Sequence, residues 1–593
     1  MSFTACQEAV LNEIAENRLT VVRAGPGAGK TRVFIEAFKR EIERTSSPRF
    51  GVAALSFTNV AHEEITRRMD RAICPPHFVG TLDAFMWRFV VRPFANLVGL
   101  SSKGPRLLPA PLDEMQNGPE VQYGPASDQR ATIFEIQIAS GNETLPILRH
   151  KGRALDRTFA SQVMIAKRRE WQKNGRVTHS DTQFMASSIL RGPNGASISE
   201  IVARRFPVIL VDEFQDTGHF LGRALLSLLQ TPTIRGAVVG DPDQAIYQFG
   251  GASRGLFDAA SRIHDARSAL LDQSHRCPRR IATVATQLSR SGKVVAPLSE
   301  AAEGRAVLIV HDHQEPDLPS LLTALPDSLR VSVVLTRKTK TVRKLNRGVS
   351  TSECPGGCKF ARGINRAVEK LLTGEPTMAA RILWKELGAV LLDDEDVDDA
   401  KLLGHSISRS LWRSACHHVI FEAARMPPGE TWNNWIARLK KQVATEAARL
   451  GLATNKLGTK VKSLGVEGDV LRFAEPATPA AINAIEVMTV HQAKGREFPV
   501  VMVYCAKPHK THAPCPSAEW WSEDAEKEER EIAFVACTRS EQALVLAIHR
   551  KTFEALQSSR PEFVGLFEPI INESISISKP KRVQRPEASE QRG

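Results

Sequence analysis

"LTVVRAGPGAGKTRVFIEAFKR", residues 19–40, decides how the rest of the chain is read. The apolar run Leu19–Val22 is short and bounded by turn residues, the pattern of a buried strand. Beyond Thr31 the apolar residues Val33, Phe34, Ala37 and Phe38 recur at helical spacing. Between them lie Ala24, Gly25, Pro26, Gly27, Ala28, Gly29, Lys30 and Thr31, with Arg32 next. Strand, glycine-rich loop and helix in that order form a cradle for phosphates. Backbone N–H groups close around the oxygens, and the helix N-terminus favours negative charge. In such a loop Lys30 reaches the β- and γ-phosphates of ATP and Thr31 offers its hydroxyl to Mg²⁺. Ala24 stands where the common pattern has its first glycine, so the strand–loop–helix setting carries the assignment.

A hydrolysing site also needs an acid at the end of another strand. "VILVDEFQD", residues 208–216, supplies one. Asp212 follows an apolar strand and is suited to complete the Mg²⁺ shell. Glu213 beside it is suited to orient or deprotonate the attacking water.

Further outward, strands are expected at "GVAALSF" (51–57), "PVILV" (207–211), "GAVVG" (236–240), "VSVVL" (331–335), "VVMVY" (500–504) and "ALVLA" (543–547). Helical patterns separate them, which argues for parallel α/β sheets. They fall into two groups on either side of about residue 270, which implies two α/β cores. Residues 92–200 and 345–480 interrupt those cores and read as mainly helical. The acidic run "DDEDVDD" (393–399) reads as a solvated face. The tail 572–593 is polar, with scattered prolines and charges, and reads as disordered.

The 593 residues are 42% hydrophobic and 24% charged, which suits a chain with sizeable cores. Net charge is +13, and a basic chain points first to nucleic acid as partner. No apolar run is long enough to span a bilayer. The start "MSFTACQEAV" lacks the charged and apolar regions of a signal peptide. Nine scattered cysteines fit a reducing cytoplasm. Cys354 and Cys358 ("CPGGC") read as a turn, with metal as the alternative. Cys416 with His417 and His418, and Cys505, His509, His512 and Cys515, match no strong zinc spacing.

The segment "VDEFQDT" resembles superfamily 1 helicases of the UvrD/Rep type, and other segments follow in family order. They are "TACQEAV" (4–10), "LSFTNVAHEEI" (55–65), "VGTLDAF" (79–85), "VVGDPDQAIYQFGGA" (238–252), "LDQSHRCPRRI" (271–281), "VMTVHQAKGREF" (487–498) and "EEREIAFVACTRSE" (528–541). The resemblance covers both cores but not the inserts. It implies two RecA-like P-loop NTPase cores with parallel sheets. The first comprises 1–91 and 201–270, with insert 92–200. The second comprises 271–344 and 481–571, with insert 345–480.

The resemblance also implies roles. Gln7 would read adenine, Gln244 would sense the γ-phosphate and Glu497 would contact the nucleotide. Arg276 and Arg539, both on the second core, would meet the charge that develops in phosphoryl transfer. Phe57, Thr58, Asn59, Thr81, Tyr247, Phe249 and His491 would line a track for single-stranded DNA, where aromatic faces stack on bases. The activity implied is ATP- and Mg²⁺-dependent 3′→5′ movement on single-stranded or tailed DNA.

Four departures stand out. Gly250 replaces an arginine. His275 replaces the tyrosine that stacks on the base of ATP. Asp83 replaces a histidine near DNA, where a carboxylate would repel phosphate unless turned away. Residues 549–563 read as helix where large members carry a strand-splitting hairpin. "GTLDAFMWRFVVRPF" (80–94) and the compact second insert also resemble the helicase-like subunit of Gabija antiphage systems, which acts beside a nuclease subunit. That implies an alternative function, a DNA-sensing regulatory ATPase that controls a partner nuclease.

Overall fold

The computed structural model describes residues 3–570 except for 58–64, 109–118, 124–129, 247–254, 346–358, 454–460, 462–484, 507–528 and shorter gaps. The tail 572–593 lies outside the described residues, as do Cys354, Cys358, His509, His512 and Cys515.

The first sheet contains β1 (Leu19–Ala24), β2 (Val52–Ser56), β3 (Phe78–Thr81), β4 (Val208–Val211), β5 (Arg235–Gly240) and β6 (Ala266–Leu271). Their order is β6-β1-β5-β4-β2-β3, and every pairing is parallel. Central strands of such a sheet are covered on both faces, so they read as continuous apolar runs. Val21, Ile209 and Val211 enter one apolar cluster, while Val22, Val208 and Leu210 enter the other. Helices α1 (Ala5–Glu16) and α2 (Lys30–Arg44) cover one face through Val10, Leu11, Ile14, Val33, Phe34 and Phe38. Helices α3 (His179–Arg191) and α4 (His219–Leu229) cover the other through Met185, Ile189, Leu225 and Leu228. Because β1, β5 and β4 are neighbours, the loop after β1, Asp241 after β5 and Asp212 after β4 emerge side by side. They do so at the carboxyl edge of the sheet, where open α/β sheets bind ligands.

The second sheet contains β7 (Arg305–His311), β8 (Val333–Thr336), β9 (Glu486–Thr489), β10 (Phe498–Cys505), β11 (Ser540–His549) and β12 (Glu568–Ile570). Its order is β9-β8-β10-β11-β7-β12, again wholly parallel. Helices α5 (Arg279–Leu288) and α6 (Glu529–Cys537) bury Ile281, Val284, Ile532 and Phe534 in the core on one face of it. After β11 the chain forms α7 (Arg550–Ser559), as the helical reading of 549–563 expected.

The first insert carries short strands in addition to the helices expected of it. Before its helix Arg157–Asn174 it carries short antiparallel pairings, Glu120–Gln122 with Arg130–Thr132, and Ile136–Ser140 with Thr144–Leu148. Ile136 and Ile138 are buried while Gln137 between them is not, the period-two alternation of a half-buried strand. The second insert packs helices Lys359–Leu372, Pro376–Leu391, Arg409–Ala424 and Trp432–Arg449 around Trp412, Trp432 and Trp435. Cys416 is buried inside this bundle. Among the described residues no helix is long and apolar enough to cross a membrane.

Candidate nucleotide site between the two cores

The loop after β1 turns on Gly27 at φ +70° and Gly29 at φ +83°, a region that side chains rarely enter. It is also crowded. A Cβ on Gly27 would lie 2.5 Å from Arg276 Cβ and 2.9 Å from Ser274 Oγ, and one on Gly29 would lie 2.7 Å from Gln7 Nε2. The loop is thus seated against the opening segment of the second core. The His275 N–H donates to the Gly27 carbonyl at 2.9 Å, and Gly25 N–H donates to the Leu271 carbonyl at 2.7 Å. Ala24, Gly25, Pro26 and Ala28 are buried, whereas Thr31 and Arg32 are half-buried. Arg32 lies over the Phe3 ring, 4.4 Å from its centroid. Lys30 Nζ donates to the Gly25 carbonyl at 3.3 Å.

Gln7 is buried, and both ends of its amide are engaged. Its Oε1 accepts from Thr4 N–H at 3.2 Å and its Nε2 donates to the Ala28 carbonyl at 3.2 Å. The same Nε2 lies 3.3 Å from His275 Nε2, 268 positions away in sequence. The structure therefore brings Gln7 and His275 together at the loop.

The acids follow at the adjacent strand ends. Asp212 is buried and accepts the Glu213 N–H at 2.9 Å. Glu213 has φ +50°, a conformation uncommon outside glycine and a feature of constrained functional turns. Burial pushes its carboxyl pKa up, but Lys30, Lys494 and a hydrogen bond from Gln215 outweigh that and hold it below the ordinary value. The carboxylate is therefore the ionised form, as a group that accepts a proton must be. Thr31, Asp212, Glu213 and Asp241 offer oxygen alone, a donor set that suits a hard cation such as Mg²⁺. Among the described residues no three His, Cys, Asp or Glu side chains are arranged to hold a metal by themselves. Mg²⁺ takes only one or two carboxylates and completes its shell with phosphate oxygens and water, so the two readings agree.

Besides His275, the side chains of the second core that bond to the first include Arg539, Lys494 and His491. Arg539 Nη2 donates to Gln244 Oε1 at 3.3 Å, and Gln244 Nε2 donates to Asp241 Oδ2 at 2.7 Å. Arg539 is fully buried. Burial, and then Arg276, pull its pKa down to about 9, so it stays a cation at neutral pH and gains from any anion placed near it. Arg276 pairs with Glu497 and reaches the Thr538 carbonyl at 3.4 Å.

Lys494 is the second crossing residue. Its Nζ bonds both oxygens of Asp216 at 2.6 Å and the Gln244 carbonyl at 2.7 Å. Burial pushes Asp216 up to about 6 against the pull of this lysine. Lys494 was not among the residues singled out from sequence. The available signal was a lysine in "HQAKGREF" with an unassigned third acid in "DEFQD".

His491 is the third. Its Nε2–H donates to the Ile246 carbonyl at 3.0 Å, and burial lowers its pKa. That nitrogen thus ties the second core to the segment that leads into 247–250. Tyr247, Phe249 and Gly250 themselves, with Thr58 and Asn59, lie outside the described residues. Phe57 is half-buried just after β2. The Thr81 hydroxyl caps the helix Leu82–Met86 by accepting the Ala84 N–H at 3.2 Å. Asp83 accepts from Gln183 Nε2 of α3 at 3.0 Å, and burial raises its pKa. Its carboxyl group is turned toward α3, which answers the repulsion expected of it.

Two family models match the chain. The UvrD/REP helicase N-terminal domain matches residues 4–264, and the UvrD-like helicase C-terminal domain matches residues 468–551. Among curated proteins the chain is similar to the ATP-dependent DNA helicase PcrA of Leuconostoc citreum, with 23% identity over 93% of this chain and 83% of that protein. It is similar to DNA helicase II of Escherichia coli K12, with 24% identity over 95% of this chain and 88% of that protein. Gabija protein GajB of Bacillus cereus shares 24% identity over 39% of this chain and 38% of that protein.

Proposed function

This chain belongs to the UvrD/REP helicase family, and on that premise we propose that it is an ATP-driven motor moving 3′→5′ on single-stranded DNA. The observation that carries the proposal is the bond from Arg539 of the second core to Gln244 of the first, beside the loop that holds Lys30. A pocket walled by both cores closes when its anion is present and loosens when the anion is lost.

Lys30 and Thr31 would hold the terminal phosphates of ATP, and Asp212 together with Thr31 would hold Mg²⁺. When bound, Mg²⁺ neutralises charge on the β- and γ-phosphate oxygens. Glu213, kept ionised by Lys30 and Lys494, orients the attacking water and accepts its proton. Arg276 and Arg539 face the charge that spreads over the transferring phosphoryl group. Gln7 and His275 receive the base, and Glu497 orients Arg276. Loss of the γ-phosphate removes what the two arginines bind, so the cores part. With each core holding the strand, cycles of closure and release advance it. Phe57, Thr58, Asn59, Thr81, Tyr247, Phe249 and His491 are the proposed track. The compartment proposed is the cytoplasm.

A strand-displacement assay on duplexes with 3′ or 5′ single-stranded tails tests the polarity. Unwinding from 3′ tails is expected, and unwinding only from 5′ tails overturns it. One observation favours a second reading. After β11 the chain runs through α7 and the short helix Pro561–Val564 into β12, with no hairpin among these described residues. Together with the GajB likeness, this supports a DNA-sensing ATPase that governs a partner nuclease and separates strands little. DNA-stimulated hydrolysis without strand displacement, and a nuclease subunit that co-purifies, are its expected signs.

A further inference from the structure

A pocket of about 310 Å³ opens between α3 and α4. Its walls include Phe184 and Phe220, whose rings meet edge-on with centroids 5.5 Å apart. Ser187 and Ser188 line it, and the exposed side chains of Arg191 and Arg223 stand at its rim. His219, the first residue of α4, lies beside Phe220 at 6.2 Å. Among the described residues no acidic side chain lines this pocket. Three basic residues, His219, Arg191 and Arg223, lie close enough to act on one another. Burial lowers the His219 pKa, and Arg223 and Arg191 lower it further; burial and then Arg191 lower that of Arg223.

Gathering like charges around one pocket is unfavourable in the free protein and is relieved by an incoming anion. Two arginines specify the anion further. Their planar forks match phosphate bidentately, and aromatic walls accept a sugar or base face. The pocket also sits at a junction. α4 begins just beyond the Asp212–Asp216 turn, and α3 bonds Asp83 of the 79–85 segment through Gln183.

We propose that the pocket between α3 and α4 is a phosphate site for the DNA strand, in which Arg191 and Arg223 hold one backbone phosphate while Phe184 and Phe220 receive the adjoining nucleotide. It extends the track on the first core beyond the segments that the family resemblance marks, and it rests on the DNA-motor reading. The volume is at the lower end of ligand pockets, which suits one nucleotide unit.

The test uses the full chain and a labelled oligothymidine, with binding followed by fluorescence anisotropy across a salt series. The double variant Arg191→Ala/Arg223→Ala is expected to weaken binding several-fold and to flatten the log–log salt slope by roughly 0.7 for each phosphate no longer neutralised. Arg191→Lys/Arg223→Lys is expected to keep the slope while losing part of the affinity, because the charge stays and the fork goes. DNA-independent ATP hydrolysis is expected to be unchanged in both. Equal affinity and slope in wild type and the alanine variant overturn the proposal. A parallel titration with inorganic phosphate at constant ionic strength separates the two sources of the anion. If phosphate binding is lost in the alanine variant while its DNA slope is unchanged, the pocket takes free anion and the strand assignment falls. If the wild-type chain binds no DNA, it is the motor reading that fails.

Discussion

The guanidinium of Arg539 on the second core donates to the side-chain carbonyl of Gln244 on the first at 3.3 Å, across 295 positions of sequence. Gln244 extends the link, through its amide nitrogen, to Asp241 at the end of β5. An anion that engages Arg539 therefore acts on the segment that leads toward 247–250. In the proposed motor this pairing joins the chemistry of hydrolysis to the relative position of the cores.

Arg539→Ala is expected to lower kcat for DNA-stimulated ATP hydrolysis by about a thousandfold, the lower range for an arginine that stabilises phosphoryl transfer. Arg539→Lys is expected not to restore it, because the fork that also reaches Val535 and Thr538 is lost. Steady-state turnover with saturating oligonucleotide measures both. Turnover near wild type in Arg539→Ala would remove this arginine from the site.

Lys494→Ala leaves Asp216 buried without its cation, which costs about 3–5 kcal/mol where a buried pair is broken. The urea midpoint should fall accordingly. The double variant Lys494→Met/Asp216→Leu should recover most of the stability but little of the DNA stimulation of hydrolysis. Full recovery of both would reduce the pair to a structural element.

Gly27→Ala places a side chain at φ +70° and 2.5 Å from Arg276 Cβ. The left-handed backbone alone costs roughly 1–2 kcal/mol, and the clash pushes the loop away from residues 274–276. The expected outcome is a KM for ATP raised by about tenfold, equivalent to roughly 1.4 kcal/mol, with the overall fold retained. An unchanged KM would mean that the loop can shift without leaving the second core.

Acid sensitivity is expected in the second core. His311 ends β7 fully buried, stacked on Tyr504 at 5.3 Å and beside His313 and His549 at 4.9 and 5.7 Å. Burial, then His313, and also His549 pull its pKa down to about 3, while Cys505 and Asp312 oppose them weakly. The unfolded value is 6.5, so the unfolded chain takes the proton first. The contribution to stability is complete above the unfolded pKa and is lost as pH falls toward the folded one. Between about pH 7 and 5 it should shrink by roughly 2 kcal/mol. His311→Gln should flatten that pH dependence in urea denaturation. An identical profile in the variant would place the acid sensitivity elsewhere.

Much of the candidate site could be proposed from sequence because each of its parts is local. The loop 24–31 and Asp212 with Glu213 follow directly on a short apolar strand and Gln244 lies one short turn beyond another, and a strand end is where a parallel sheet places its ligands. Strands β3 and β6 were not legible in the same way. Residues 266–271 lie at a sheet edge and are exposed or half-buried except for Leu271, and their apolar run is only Ala269, Leu270 and Leu271. The antiparallel strands of the first insert are only two to five residues long, too short for periodicity to register. β7, "RAVLIVH", does carry such a run and was open to the same reading as its neighbours.

By itself the sequence determined the strand–glycine loop–helix unit, the acids at the end of a neighbouring strand and the parallel α/β class, because these follow from glycine placement and apolar spacing within single short segments. Only the tertiary structure decided that Arg539 meets Gln244, that Lys494 joins Asp216 to the Gln244 backbone, that His491 takes the Ile246 carbonyl and that Asp83 turns to Gln183. Each of these pairs brings a side chain to a group from a distant part of the chain, and most bridge the two cores. Their partners and their protonation are set by how the two sheets face one another and by what that burial excludes from water, and no local period in the sequence encodes either.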